Sequence, residues 1–259
     1  DHPKMLPLME IFTHATTVYC YRLGSGAVKA SNTLATAKYG GVRGNDITIV
    51  VAANVVEVDL WDVTTYVDGV AADTQTVADA DELVSNDWVD FKTTATLEAS
   101  AGMPLTNGAD ATTINGEAHQ AFLDKIEPYA YNALCCPASD ATTVRLYQQF
   151  CSRVRDEVGS KFQLVAWQPS TADYEGIIGV WNTVTHPTIA NVPTHSLVYW
   201  VAGAEAGCAV NKSLTNFKYD GELTINTDYT QAELEAALKA GKFIFHNVNG
   251  DVRVLEDIN

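Results

Sequence analysis

The stretch from residue 131 to residue 180 most constrains the fold, because strand and helix patterns alternate along it. Apolar runs at Tyr131–Cys136 and Lys161–Trp167 flank a long segment with helical spacing, and GIIGV at 176–180 predicts another strand. The apolar positions of the long segment are Val144, Tyr147, Cys151, Val154 and Val158. A strand, a helix and a strand in this order form a right-handed parallel unit. The sequence therefore predicts an α/β core, a mixed sheet flanked by helices.

Residues at the ends of the helical segments support this prediction. Asp140 and Gly159 stand where the N-cap and the C-terminal glycine of the long helix belong. Thr230 and Glu233 have the spacing of a capping box, which predicts a second helix over 231–240.

A hairpin is predicted after that helix. Asn249-Gly250 is a strong two-residue turn signal, and it divides the segment Lys242–Leu255 into two strands. We expect this hairpin to lie in or beside the core sheet. Leu234 and Leu238 share one face of the preceding helix, and we expect both to be buried against the hairpin.

Residues 33–100 have a different pattern, with short alternating segments separated by Gly, Asn and Asp. These segments are 34–39, 46–52, 56–61, 64–69, 73–77 and 88–92. They predict a small antiparallel β domain inserted into an α/β domain made of 1–32 and 101–259. In the first part of the chain, residues 4–14 predict a short helix and Thr17–Leu23 predicts a buried strand.

Charge and composition exclude several classes of function. Lys and Arg total 16 against 32 Asp and Glu, so the net charge is −16. Such a surface repels nucleic acid and anionic membranes, and no apolar run reaches the roughly 18 residues of a membrane span. The five cysteines form no C-x-x-C pair and are predicted to be free, buried thiols of a reducing compartment. They are Cys20, Cys135, Cys136, Cys151 and Cys208.

Three short motifs are better explained by structure than by chemistry. Gly203 and Gly207 form G-x-x-x-G, which favours close helix packing, because it lacks the spacing of a nucleotide-binding loop. Gly24-Ser25-Gly26 favours a turn over a nucleophile elbow. Asn211-Lys212-Ser213 matches the glycosylation pattern by chance.

Titratable residues give no complete site. Asp173 and Glu175 flank Tyr174 near a strand end and are the best enzymatic candidate, but they lack a partner base, nucleophile or metal cluster. The histidines show no paired metal spacing. They are His2, His14, His119, His186, His195 and His246. We therefore predict no catalytic, cofactor-binding or metal-binding residue, and the chain is not expected to be an enzyme.

Several segments in a consistent order resemble the contractile tail sheath proteins of Gram-positive phages, defective prophages and phage tail-like bacteriocins. The most specific are LVYWVAGAEAGCAVNKSLTNFKYDG at 197–221 and ATAKYGGVRGNDITIV at 35–50. The others are residues 19–30, 103–112 and 166–182 and the segment EDIN at 256–259.

The resemblance implies a structural subunit rather than a catalyst. Such subunits stack as hexameric rings around a tail tube, exchange terminal arms as added strands, and contract to drive the tube through a cell envelope. The implied partners are other sheath subunits, the tail tube protein and the baseplate. The implied location is a virion or phage tail-like particle assembled in the bacterial cytoplasm.

The resemblance also implies that the chain is a fragment trimmed at its C-terminus and at its N-terminus. Without its arms, the fragment is expected to be monomeric, with an unpaired sheet edge. The alternative function is an α/β enzyme or small-molecule-binding domain with an unrecognised site.

Overall fold

A computed structural model of the chain describes residues 3–24, 26–111, 114–170 and 174–258. The chain forms two compact units. The α/β unit comprises 1–21 and 119–259, and the β unit comprises 22–118. The α/β core with an inserted β domain, predicted from the sequence, is confirmed.

The β unit consists of two antiparallel sheets. Its strands are β1 (Ala35–Ala37), β2 (Ile47–Ala53), β3 (Trp61–Val67), β4 (Val70–Val77), β5 (Val89–Phe91) and β6 (Ser100–Pro104). One sheet has the order β4-β3-β2-β6, and β1 pairs with β5 in the other. Inward-facing residues of both sheets, such as Ile49, Val63 and Val89, form one hydrophobic core.

The β unit extends beyond residues 33–100 at both ends. The flanking segments pair with each other through antiparallel bridges between Val28 and Ala109 and between Ser31 and Thr106. These bridges explain why the compact unit includes residues 22–32 and 101–118.

The predicted segment 56–61 is mostly a loop, so that strand prediction was wrong. The side-chain oxygen of Asn54 accepts hydrogen bonds from the N–H groups of Val56 and Glu57, both at 2.9 Å. This turn diverts the backbone groups that a strand would need for pairing. Val56 and Val58 consequently lie exposed in the β2–β3 connection.

The α/β unit is built on a parallel sheet. Its helices are α1 (Leu6–Phe12), α2 (Gly116–Ile126, whose first turn precedes residue 119), α3 (Ala141–Arg153), α4 (Leu197–Gly207) and α5 (Gln231–Lys239). Its strands are β7 (Ala133–Cys135), β8 (Gln163–Trp167), β9 (Ile177–Val180), β10 (Val184–Thr185), β11 (Thr224–Ile225), β12 (Phe245–Val248) and β13 (Asp251–Val254). Strands β7, β8 and β9 lie side by side and parallel.

Helices cover both faces of this sheet. Along β8, Leu164 and Ala166 join the core formed with α2 and α3, whereas Val165 and Trp167 join the core formed with α1 and α4. Alternate side chains of a strand point to opposite faces, so both faces of a parallel sheet between helices must be apolar.

Helix α3 begins at its predicted cap, and the helical run closes as predicted at Gly159, which has a left-handed φ of 86°, but its last turn is irregular. The Asp140 side chain caps it by accepting a hydrogen bond from the N–H of Thr143 at 2.8 Å. After Arg153 the chain continues as a π-helical turn over Val154–Val158. The wider turn rotates the next residues away from the apolar face. Val158, predicted to belong to that face, is therefore exposed.

The C-terminal hairpin lies beside the core sheet, as predicted. Strands β12 and β13 are joined by Asn249 and Gly250, both with positive φ, and Phe243 forms a parallel bridge with Val180 of β9. The prediction that Leu234 and Leu238 are buried was wrong, because no residue of α5 is buried and both leucines are only half-buried. The Thr230 capping box is present as predicted.

Helix α1 lies directly against α4. A Cβ atom added at Gly203 would collide with the carbonyl oxygen of Ile11, and one added at Gly207 would lie 2.6 Å from the carbonyl oxygen of His14. The G-x-x-x-G motif therefore serves helix packing, as predicted.

A buried carboxyl group also fixes α1. Glu10 is 1% exposed and accepts hydrogen bonds from the Tyr219 hydroxyl at 2.7 Å and from the Glu222 N–H at 2.8 Å. Burial raises the pKa of Glu10, while these two hydrogen bonds oppose that rise.

We expect Gly203→Ala to lower the free energy of unfolding by about 1–3 kcal/mol, because the added methyl group overpacks the α1–α4 contact. Gly116→Ala is the matched control, since a Cβ there meets no atom within 4 Å. Chemical denaturation measures both variants. If Gly203→Ala is as stable as Gly116→Ala, the α1–α4 contact at Gly203 has room for a methyl group and the prediction is wrong.

The stability of the protein is expected to depend on pH through Glu205, which lies at the end of α4. One of its carboxyl oxygens is buried without a hydrogen-bond partner among the described residues. Burial and the nearby carboxyl group of Asp257 raise the pKa of Glu205 to about 8.

This folded-state pKa lies above the ordinary value of 4.5, so protonation of Glu205 favours the folded state. Its contribution to the free energy of unfolding is fully present below pH 4.5 and is lost as pH rises through about 8. We expect Glu205→Gln to remove this loss, so the variant becomes more stable than the parent as pH rises across that window. Melting curves at several pH values measure the difference. Parallel curves for the two proteins would refute the assignment.

We propose that the β unit folds on its own, because its core and its paired flanking segments lie within residues 22–118. That segment, expressed alone, is expected to give a β-type circular dichroism spectrum and a cooperative thermal transition. A disordered spectrum would contradict this division of the chain.

Candidate assembly interface

Strand β7 is an open edge of the parallel sheet. It pairs with β8 on one side, and among the residues that the structure describes no strand pairs with it on the other. The opposite edge is partly closed, because the Phe243 N–H donates to the carbonyl of Gly179 at 3.0 Å. An additional strand would therefore join this sheet at β7.

The β7–β8 ladder determines which backbone groups of β7 point outward. The carbonyl of Asn132 accepts a hydrogen bond from β8 and the N–H of Cys136 donates one to β8, each at 2.9 Å. Since backbone groups alternate in direction along a strand, Ala133 and Cys135 direct their N–H and C=O groups away from β8. These groups have no backbone partner in the described part of the chain.

A cavity of about 600 Å³ lies along this edge, and we call it the edge slot. The helix layers on both sides of the sheet reach past β7 to line it. Ala202 and Ala206 of α4 contribute from one layer, and Phe122 and Ile126 of α2 contribute from the other. A strand placed in the slot would thus be covered on both faces, as the strands of a parallel sheet usually are.

The N-terminal segment, residues 15–21, also borders the edge slot, and residues 15–19 line the cavity. Over 16–21 its backbone makes no hydrogen bond to another described residue. Ring contacts hold it instead, with centroids 5.2 Å apart for Tyr19 and Tyr129 and 5.8 Å apart for Tyr21 and Phe122.

The prediction of a buried strand at Thr17–Leu23 was therefore wrong. The segment has strand-forming residues but no paired strand, and Tyr19 and Tyr21 are 52% and 43% exposed. A strand is stable only when its backbone groups have partners, which composition cannot supply.

Burial keeps two side chains of the slot neutral. Burial raises the pKa of the Cys135 thiol well above its ordinary value, which keeps the thiol neutral. Burial likewise raises the pKa of the Tyr131 hydroxyl. The Tyr131 hydroxyl is also buried without a hydrogen-bond partner among the described residues, so the slot presents this group as well as the backbone groups of β7.

The enzymatic candidate beside Tyr174 forms structural contacts. Glu175 accepts a hydrogen bond from Arg155 at 3.1 Å, and the Tyr174 hydroxyl donates to Asp156 at 2.7 Å. Asp173 lies outside the described residues.

Arg155 is a structural residue that sequence reasoning missed. Its guanidinium is buried, donates to the carbonyl of Phe162 at 2.5 Å, and lies so close to Gly176 that no Cβ would fit there. It joins the π-helical turn to the starts of β8 and β9. The glycine that begins GIIGV was the only sequence signal, and it does not identify the partner.

The histidines lie apart in ordinary environments. His119 Nδ1 is 3.0 Å from the Tyr147 hydroxyl, His14 Nε2 is 3.0 Å from Asp220 Oδ1, and His195 Nε2 is 3.2 Å from the Pro137 carbonyl oxygen. His186 accepts backbone hydrogen bonds at Nδ1, and His246 is half-buried in β12. His2 lies outside the described residues.

Other motifs and segments add no site. Within the described ranges, no three His, Cys, Asp or Glu residues are grouped to hold a metal ion, and no helix is long and apolar enough to span a membrane. Ser25 lies outside the described residues, and Gly26 beside it has the positive φ of a turn. Asn211 lies in an exposed turn. The five cysteines are free, but the prediction that they are buried holds only for Cys136 and Cys151, and Cys20 is exposed because its segment pairs with no strand.

Two family models match successive parts of the chain. The phage tail sheath protein beta-sandwich domain matches residues 23–110, and the phage tail sheath protein central domain matches residues 112–259. The first match covers most of the β unit, and the second covers most of the α/β unit.

Individual proteins agree with these matches. The chain is 35% identical to the phage-like element PBSX protein XkdK of Bacillus subtilis over 100% of its own length and 60% of that protein. Its whole length also resembles two crystal structures of sheath tail proteins. The protein from Desulfitobacterium hafniense has a TM-score of 0.92 and 37% identity, with 63% of that chain covered. The protein from Listeria innocua has a TM-score of 0.88 and 39% identity, with 60% of that chain covered.

The chain thus spans about three fifths of the length of these relatives. Phage tail sheath proteins are structural proteins rather than enzymes, and they form part of a virion or phage tail. The length of the matches and the agreement of both units show that the chain belongs to the phage tail sheath family.

Proposed function

We propose that the chain is a structural subunit of a contractile sheath, in which hexameric rings of copies stack around a tail tube. The open edge of β7 carries this proposal, because it presents backbone groups that an extended segment of a neighbouring copy can pair with. This is β-augmentation, in which main-chain hydrogen bonds supply affinity between chains.

The unpaired edge supports this assignment on physical grounds. An unpaired edge strand is an aggregation hazard that proteins usually cover, shorten or charge. Here no Asp, Glu, Lys or Arg is among the described residues that line the edge slot, although the chain has 48 charged residues (16 basic and 32 acidic). An edge left uncharged suits pairing with a specific partner.

The remaining parts of the proposal follow from family membership. The subunits exchange terminal arms, contact a tail tube protein and a baseplate, and contract to drive the tube through a cell envelope. Repacking of many identical subunits supplies the work, as in other bistable assemblies, and no nucleotide is required. Assembly takes place in the bacterial cytoplasm, and the particle is a phage tail, a bacteriocin or another contractile injection system.

The alternative, an α/β enzyme or small-molecule-binding domain, has less support. Family membership points to a structural role, and the enzymatic candidate beside Tyr174 is occupied by contacts with Arg155 and Asp156.

The edge proposal predicts the effect of Ala133→Pro in the full-length protein. Proline removes the outward N–H of residue 133 without removing a hydrogen bond to β8, and proline is tolerated on edge strands. We expect a folded subunit that forms at most about a tenth of the parent's sheath tubes, counted in negative-stain micrographs.

Ala133→Ser is the matched control, because it keeps the N–H group and should assemble normally. Circular dichroism checks that both variants fold. Normal tube formation by the folded proline variant would contradict pairing at β7.

A further inference from the structure

Asparagine followed by glycine is open to spontaneous chemical modification, and the chain contains this pair at several places. The pairs are Asn107-Gly108, Asn115-Gly116 and Asn249-Gly250. Asparagine is a thermolabile residue, and a following glycine has no Cβ to shield its backbone nitrogen. We propose that Asn115 is the asparagine that deamidates in the folded protein, whereas the fold protects Asn107 and Asn249.

The reaction joins the backbone of Gly116 to the side chain of Asn115. The Gly116 nitrogen loses its proton to water and attacks the side-chain carbonyl carbon of Asn115, and the amide nitrogen leaves as ammonia. A cyclic succinimide remains. Water then opens the ring at either carbonyl group and gives aspartate or isoaspartate. One water molecule is consumed and one ammonia is released, so no oxidant or reductant takes part.

Two features of the fold control whether such a pair can react. A hydrogen bond donated by the glycine N–H must be broken before the nitrogen can lose its proton. A left-handed backbone at the asparagine turns the next peptide nitrogen away from the asparagine Cβ, so the attack needs a rotation about the Cα–C bond. A pair with either feature is therefore expected to react slowly.

The pair in the C-terminal hairpin has both features, although its two residues are exposed. The Gly250 N–H donates to the side-chain oxygen of Asn247 at 3.0 Å, and Asn249 has a left-handed φ of 53°. The same contacts form the tight turn between β12 and β13. The reaction would thus require this turn to open.

The pair in the β unit is restrained more firmly. The Gly108 N–H donates to the side-chain oxygen of Asn45 at 2.8 Å, and the Asn45 amide donates back to the Gly108 carbonyl at 2.9 Å. Asn107 has a left-handed φ of 63°. A Cβ atom added at Gly108 would lie 2.5 Å from the carbonyl oxygen of Gly41, so this backbone is also closely packed.

Neither restraint applies to Asn115 and Gly116. Gly116 is the first residue of α2, where N–H groups have no partner within the helix, and its N–H donates to no other residue that the structure describes. Asn115 is exposed and its φ is not left-handed. A Cβ atom added at Gly116 meets no atom within 4 Å, so the surroundings leave room for a ring to close.

The hydrogen bond that caps α2 favours the attack as well. The side-chain oxygen of Asn115 accepts a hydrogen bond from the Ala118 N–H at 3.1 Å. Negative charge develops on this oxygen as the Gly116 nitrogen attacks, and a fixed backbone donor stabilises such charge. Of the three asparagines, Asn115 thus combines a free attacking nitrogen with an activated carbonyl group.

The two products differ in their effect on the start of α2. Aspartate keeps a side-chain oxygen at the cap position and adds a negative charge, which suits the N-terminus of a helix. Isoaspartate lengthens the backbone by one carbon and displaces the oxygen, so the cap is lost. Asn115 lies in the segment through which the chain passes from the β unit to the α/β unit.

Peptide mapping by mass spectrometry of the aged full-length protein tests the assignment. The protein is incubated without assembly at physiological temperature and mildly alkaline pH, so the result is independent of the proposed function. We expect deamidation at Asn115 to be about tenfold faster than at Asn107 or Asn249, and the three rates to converge in urea. Equal rates in the folded protein, a faster reaction at Asn107 or Asn249, or the same advantage of Asn115 in urea would overturn it.

Two substitutions test the physical reasons. Gly116→Ala adds a methyl group that the structure can accept but that shields the nitrogen, so we expect deamidation at Asn115 to slow by at least about fivefold. Asn247→Ala frees the Gly250 N–H, so we expect Asn249 to react about fivefold faster. Asn247→Asp is the matched control, because it keeps an acceptor oxygen and should leave that rate low.

Circular dichroism checks that these variants fold. An unchanged rate at Asn115 in Gly116→Ala would contradict attack by the Gly116 nitrogen. An unchanged rate at Asn249 in Asn247→Ala would show that the hydrogen bond does not protect the hairpin pair, and the structural basis of the assignment would be wrong.

Discussion

The structure depends on how the backbone hydrogen bonds of one short parallel sheet are completed. Helix layers shield both faces of such a sheet from water. Its inner strands pair with neighbours on both sides, so unpaired N–H and C=O groups remain only at the edge strands. In the α/β unit, Phe243 extends the sheet at β9, and β7 remains open at the other side. The helices and the N-terminal segment around β7 line the cavity beside this open edge.

The packing of α1 on α4 maintains one side of that slot. Gly203 and Gly207 allow the backbone of α1 and of the following turn to approach α4 closely, and the buried Glu10 ties α1 to the loop around Tyr219. Ile11 and Ala202 of the same two helices line the slot. Changes at this helix contact are therefore expected to alter the shape of the slot as well as the stability of the unit.

Features of the fold that depend on local pattern could be predicted from the sequence. The strand–helix–strand unit, the Asp140 cap, the Thr230 capping box and the Asn249-Gly250 hairpin rest on residues close together in the chain, and all are present. The packing role of Gly203 was also predictable, because small residues spaced by four share one helix face.

Features that depend on tertiary partners could not be predicted. Thr17–Leu23 has the composition of a strand, but the chain supplies no strand beside it. Val158 keeps the apolar spacing, but the π-helical turn moves it to the surface, and Leu238 lies on a helix that stays half exposed. The edge slot has no sequence motif, because the unpaired groups of β7 that border it belong to the backbone.

A cryo-electron microscopy structure of the assembled full-length sheath tests the central claim most directly. The account predicts a strand from a neighbouring copy running beside β7 at about 4.8 Å, hydrogen-bonded to Ala133 and Cys135. A resolved sheath in which the outward groups of β7 face solvent, or are covered only by the subunit's own chain, would contradict it.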